Sequence, residues 1–340
     1  MKILYGVQGT GNGHITRARA MAACFNAKGI EVDYLFSGRE DDQYFDMDVF
    51  GRYQTYRGLS FSTVAGKVSL WQSAKKLKFG QFLADVRSLD VTQYDLVLND
   101  FEPVSAWAAK RANKQVINIS HQAAFNDPSV PIESNSWLHR WFIKMFAPAN
   151  LSLGVHWQPF GGTILPPFVE VERVDRHAES FYLVYLPFEK LEEITALLSL
   201  FIDEDFVIYH PDVKHKYQVE NCYFNPLNRH QFLHDLQQCN GAICNAGFEL
   251  SSEALTLGKK LLVKPLNGQF EQASNARVLE QMKAASVMES LNEHAVDQWL
   301  GVKTSTMVNF PSDPSPLIEW LLEGNYDQPE RLCERLWQQV

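Results

Sequence analysis

Residues Asn245–Asn275 read NAGFELSSEALTLGKKLLVKPLNGQFEQASN. The apolar run Ala242–Cys244 leads in, Gly247 turns the chain, and a helix opens whose first turns carry Ser251, Ser252 and Glu253. A second apolar run, Leu261–Lys264, stops at Pro265, and the loop beyond it presents Gln269, Glu271, Gln272 and Asn275. Strand, tight turn, helix and strand form the repeating unit of a parallel sheet. The N–H groups at such a helix start, here after Asn245, Gly247 and Phe248, cradle a diphosphate without a metal. A carboxylate one turn in, here Glu253, can accept from both ribose hydroxyls. The acid and amide side chains of the following loop suit sugar hydroxyls.

The same alternation runs outward from this stretch in both directions. Strand candidates in the first half are Lys2–Val7, Glu31–Phe36, Tyr94–Leu98, Val116–Ile119 and Leu151–Val155. Apolar spacing predicts a helix over Ile15–Lys28, ended by Gly29. Gln158–Arg173, QPFGGTILPPFVEVER, carries two glycines and three prolines and reads as a linker. Beyond it strands recur at Phe181–Leu186 and Phe206–Tyr209, and helices begin at Pro316 and Pro329. The expected organisation is an α/β domain over residues 1–160, a linker over 161–178, a second α/β domain over 179–315 and closing helices over 316–340.

Composition narrows the function classes. At 340 residues the chain is long enough for two cores. A net charge of −9 argues against a general nucleic-acid binder. Five scattered cysteines with no C-x-x-C spacing suit a reducing compartment and give no metal-site signal. With no apolar run of membrane-spanning length, the expected location is the cytoplasm.

A second glycine-rich turn follows the first strand: GTGNGHITRA, Gly9–Ala18. A dinucleotide site there wants an acid at the end of the second strand, where this chain has Ser37-Gly38-Arg39. His14 directs the reading elsewhere. It stands beside Gly11, Asn12 and Gly13 in the first turn of a helix, where the dipole favours a neutral imidazole able to accept a hydroxyl proton. Its orienting acid is expected from DFEP, Asp100–Pro103, where Asp100 and Glu102 follow a strand; Asp100 also reads as a helix N-cap. His121 follows the next strand and is expected at the same cleft.

Together these stretches resemble the GT-B glycosyltransferases, including UDP-glycosyltransferases and the peptidoglycan lipid-intermediate N-acetylglucosaminyltransferase, and within them a branch marked by GNGH, DFEP and QFEQ. The resemblance implies two Rossmann-like domains facing across a cleft, with the last helices crossing back to the first domain. It implies a nucleotide-sugar donor, a UDP-sugar first, and transfer of a hexosyl group to an acceptor hydroxyl, metal-independent and inverting. By the same resemblance Glu253 holds ribose, Glu271 and Gln272 hold the donor sugar, and His14 with Asp100 forms the base. No cofactor or metal is expected. Asn245 stands where plant-type relatives have a phosphate-binding histidine, and Leu250 where they have a small hydroxyl residue, which shifts phosphate contact towards backbone N–H groups and Ser251 or Ser252. A hydrolase or epimerase on the same fold and a non-catalytic nucleotide-sugar-binding protein are the alternatives.

Two further stretches bear on partners. Pro226, Leu227 and Phe232 are candidates to pack on the base. In WLHRWFIKMFAPAN, Trp137–Asn150, the stripe Trp137, Leu138, Trp141, Phe142, Met145 and Phe146 reads first as core, and alternatively as a peripheral surface for a membrane or lipid-linked acceptor. Asp46-Met47-Asp48 has the D-x-D spacing of metal-dependent transferases but follows no convincing buried strand, and it is set aside.

Overall fold

The computed structural model describes residues 1–44, 46–59, 63–64, 67–68, 79–133, 136–171 and 180–340. They fall into two compact units: Met1–Ser62 with Ser69–Glu170 and Phe310–Val340, and Thr63–Val68 with Val171–Asn309.

In chain order the first half runs β1 (Lys2–Gln8), α1 (Asn12–Ala27), β2 (Glu31–Ser37), β3 (Tyr53–Tyr56), a hairpin of β4 (Thr63–Val64) and β5 (Lys67–Val68), α2 (Phe79–Ser88), β6 (Leu96–Asp100), α3 (Pro103–Arg111), β7 (Val116–Ser120), α4 (His121–Ala124), α5 (Ser136–Phe146), β8 (Leu151–Val155) and β9 (Ile164–Leu165). The second half runs β10 (Phe181–Tyr185), α6 (Leu191–Leu198), β11 (Asp205–Tyr209), β12 (Tyr217–Val219), β13 (Cys222–Asn225), α7 (Arg229–Gln238), β14 (Gly241–Asn245), α8 (Phe248–Thr256), β15 (Lys260–Lys264), α9 (Phe270–Gln281), β16 (Ser286–Val287), α10 (Glu293–Leu300), α11 (Ser315–Glu323) and α12 (Pro329–Trp337).

Each unit is built on one seven-stranded sheet, in the orders β3-β2-β1-β6-β7-β8-β9 and β12-β13-β11-β10-β14-β15-β16. All pairings within them are parallel except β12 with β13. A parallel sheet must be covered on both faces, which is why its strands are continuous apolar runs. In the first sheet Leu4 and Leu35 pack towards Phe82, Val86 and Val104. On the opposite face Tyr34 and Phe36 meet Phe50 at ring distances of 5.0 and 4.8 Å. In the second, Val184, Ile208, Ile243 and Leu262 pack with Ile194, Leu198, Val296 and Trp299.

Three expectations change here. α1 begins at Asn12 rather than Ile15, which brings Gly13 into the first turn together with His14, already expected there. Much of the stretch read as a linker belongs to the first unit: Ile164–Leu165 pairs with β8, and Ile164–Val169 is buried. Pro166 and Pro167, which lack a donor, end that strand after two residues at the sheet edge. Residues 172–178 of the expected linker lie outside the described residues.

The apolar stripe of α5 is the third. Ile143 and Phe146 are buried, whereas Trp137 and Trp141 are 69% and 60% exposed, with Leu138 and Met145 exposed beside them. Its default reading as core holds at Phe146 and fails at Trp137, Leu138, Trp141 and Met145, because periodicity shows that a face is apolar, not that anything covers it. The closing helices belong to the first unit: Lys28 pairs with Glu319 at 3.0 Å, and the Trp337 indole donates to the Ile164 carbonyl at 2.7 Å. No helix among the described residues is long and apolar enough to cross a membrane.

Candidate active site

In each sheet the chain starts at a central strand, winds one way, then returns to wind the other. Ligands of doubly wound sheets bind where the winding reverses, at the carboxyl ends of the strands. In the first unit that point lies between β1 and β6, where the glycine-rich turn meets Asp100. In the second it lies between β10 and β14, where Asn245 meets Gly247.

At the first switch point His14 Nδ1 donates to Asp100 Oδ1 at 2.7 Å. Arg17, one turn along α1 on the same face, grips the same carboxylate with Nε on Oδ2 at 2.8 Å and Nη2 on Oδ1 at 3.0 Å. The Gln122 amide nitrogen stands 3.4 Å from His14 Nε2. Asp100 is fully buried. Burial pushes its carboxyl up, but the Arg17 guanidinium and then His14 push harder the other way and hold it below the ordinary carboxylate range. A carboxylate cannot donate, so the Nδ1 proton stays on His14, and in the neutral ring it is Nε2 that carries the lone pair.

Phe101 explains why DFEP splits into two roles. It adopts φ 54°, a left-handed conformation unusual for a bulky residue, and stacks on Phe146 at 4.7 Å. The turn leaves Asp100 at the strand end and Glu102 at the start of α3. Glu102 is a correction to the expected cleft acid: it is fully buried and is the N-cap of α3. Its carboxylate accepts from Val104 N at 2.7 Å, from Ser105 N and Oγ at 2.6 Å each, and from Ser37 Oγ at 2.6 Å. Asp100, which also reads as a cap, belongs to β6. His121 is a second correction: it is buried, its Nδ1 bonds the Val155 carbonyl at 2.9 Å, and its ring packs edge-on to Phe125 and His156. The residue after it, Gln122, reaches His14 instead. Gly11 is the N-cap of α1, Gly13 lies in the first turn, and Asn12 Oδ1 accepts from Arg39 at 3.2 Å.

At the second switch point Gly247 is the N-cap of α8 and, having no side chain, supplies no side-chain cap. A Cβ on Gly247 would meet nothing within 4 Å, so the main chain there faces open space. Phe248 is buried at the first helical position. Asn245 donates to the Lys264 carbonyl at 2.9 Å while its Oδ1 is buried without a partner. Ser251 Oγ and Gln269 Oε1 are likewise buried and unbonded. Three polar atoms in that condition are costly unless a ligand or water completes them. Glu253 and Glu271 are half-buried, in the second turn of α8 and the first turn of α9.

Other residues named from sequence hold the loops rather than face outward. Ser252 Oγ donates back to the Phe248 carbonyl at 2.8 Å. Gln272 Oε1 accepts from Leu266 N at 3.0 Å, which uses that oxygen to fix the β15–α9 turn. Asn275, fully buried, donates to the Ala246 carbonyl at 3.0 Å. Phe232 packs against Tyr185 and Tyr209 at 5.4 and 5.2 Å, whereas Leu227 is exposed. Sequence reading misses Arg17 and Gln122, and also a buried pair at this edge, Lys264 Nζ to Glu189 Oε1 at 2.7 Å. For Arg17 a signal exists: an arginine three positions after the histidine shares its helix face.

The model of glycosyl transferase family 1 matches residues 1–302. Among solved structures, the spinosyn forosaminyltransferase SpnP superposes with a TM-score of 0.61 at 13% identity, covering 95% of this chain and 99% of that one. MurG from Acinetobacter baumannii gives 0.56 at 14% identity, covering 95% and 99%. The glycosyltransferase SnogD from Streptomyces nogalater gives 0.54 at 14%, covering 94% and 99%. At such identities the likeness shows the fold. No curated protein matches the chain. With the family model spanning both sheets, the chain belongs to glycosyl transferase family 1 and is a glycosyltransferase of the GT-B fold.

Proposed function

We propose that this enzyme transfers a hexosyl group from a nucleotide sugar, a UDP-sugar first among candidates, to an acceptor hydroxyl by direct, inverting and metal-independent displacement. The observation that carries the reading is the His14–Asp100 contact at a sheet switch point, with Nε2 left as the base. Nε2 takes the acceptor proton as the acceptor oxygen bonds to the anomeric carbon. The bond to the donor phosphate breaks, and its electron pair leaves with the diphosphate. The charge developing there is met by the N–H groups of α8 beyond Gly247, a contribution of roughly 3 kcal/mol per well-placed donor. Glu253 accepts from ribose, and Gln269 and Glu271 accept from the donor sugar, whose hydroxyl would complete the buried Gln269 Oε1. The five free thiols suit a reducing compartment, and we place the reaction in the cytoplasm.

The exposed aromatic face of α5 supports an acceptor with an apolar part, met at a membrane surface. Product analysis tests the main reading. Purified protein with a panel of nucleotide sugars should yield glycoside only when acceptor is supplied. Free sugar released as fast without acceptor, or a C2 epimer, contradicts it.

A further inference from the structure

We infer that Arg17 is the positioning residue of the His14–Asp100 pair: its guanidinium fork fixes the carboxylate, and through it the ring tautomer that leaves His14 Nε2 able to take a proton. The inference rests on the proposed role of His14 as base.

A histidine and a buried carboxylate alone have two arrangements. In one the carboxylate accepts from Nδ1–H and Nε2 is a base. In the other the carboxyl holds the proton and donates to Nδ1, the ring carries its proton on Nε2, and no base remains. Complete burial of Asp100 favours the second, because it disfavours the charged form. Arg17 reverses the balance. Its Nε reaches Oδ2 at 2.8 Å and its Nη2 reaches Oδ1 at 3.0 Å, so a proton on either oxygen would face a guanidinium N–H.

The geometry is specific to arginine. Arg17 is itself buried, and two planar donors at once are beyond a lysine ammonium. The groups facing His14 are Arg17 from α1, Asp100 from β6 and Gln122 from α4. Glu102 is engaged by α3 and Ser37, and His121 bonds the Val155 carbonyl. No other carboxylate among the described residues is bonded to the His14 ring.

The test uses the full chain with 15N-labelled histidine. Ring nitrogen shifts report which nitrogen carries the proton, independently of turnover. The native enzyme should show Nδ1–H at His14. Arg17→Gln should populate the Nε2–H form, lower kcat about tenfold or more, leave donor affinity within about twofold and move the acid limb of activity to higher pH as Asp100 loses its counter-charge. Arg17→Lys, which keeps the charge and loses the fork, should fall between the two and carries the same test if Arg17→Gln does not fold. A folded variant with the native tautomer and an unmoved acid limb overturns the inference. A tautomer change without loss of kcat sustains it and refutes His14 as the base.

Discussion

Glu102 and Asp100, two residues apart, have unrelated tasks: the first caps α3 with four accepted hydrogen bonds, the second holds His14 and Arg17. The left-handed Phe101 between them makes the division. An acid motif at a strand end is therefore half structural, and substitutions at its two carboxylates should separate stability from chemistry.

Glu102→Ala removes the cap and strands the Val104 and Ser105 main-chain donors and the Ser105 hydroxyl in a buried interior, while Ser37 Oγ keeps Gln8 Oε1 at 3.3 Å. We expect a loss of about 2 kcal/mol or more in urea unfolding, with donor affinity of the folded fraction unchanged. A stable variant with weakened donor binding would return Glu102 to the ligand site.

Gly247→Ala adds a methyl group that meets nothing in the protein, at a φ of −74° that alanine adopts readily. Thermal stability should hold, while the methyl obstructs an anion approaching the α8 N–H groups. Donor affinity measured by calorimetry should fall about tenfold. Unchanged affinity would move the diphosphate elsewhere.

Glu253→Ala and Glu271→Ala each remove one carboxylate acceptor for hydroxyls. Each should weaken donor binding by about tenfold or more, the value of a hydrogen bond to a charged group. The former should also weaken the free nucleotide, since it is assigned to ribose, and the latter should not. Equal effects on nucleotide and nucleotide sugar in both variants would contradict the division.

The outward face of α5 predicts association with vesicles of anionic lipid in a sedimentation assay. Replacing Trp137 and Trp141 together with serine should abolish it with little change in stability, because both are exposed. No sedimentation of the parent protein contradicts the membrane reading of the acceptor.

Central strands were legible because burial on both faces writes them as unbroken apolar runs: Phe181–Leu186 is expected against an observed Phe181–Tyr185, and Leu261–Lys264 against Lys260–Lys264. Edge strands such as β9 and β16 have two residues each and leave no run to find. The start of α1 is missed because apolar spacing begins at Ile15, whereas its first turn opens with asparagine, glycine and histidine, which carry no apolar pattern. His14 and Asp100 could be named from their places after strands. Arg17 could not be assigned in the same way: an arginine on a helix is usually solvated, and the carboxylate that buries this one lies 83 residues away. Gln272 and Asn275 show the converse limit. Their residue types suit a sugar, but the backbone groups at Leu266 and Ala246 take them, and only the folded loops reveal that competition.

The most direct measurement pairs turnover with donor binding in His14→Ala. The account predicts that the donor binds within about twofold of the parent while kcat falls at least 100-fold, a loss of roughly 3 kcal/mol in transition-state stabilisation. Turnover at the parent rate in that variant would contradict the assignment of the base, whatever its donor affinity.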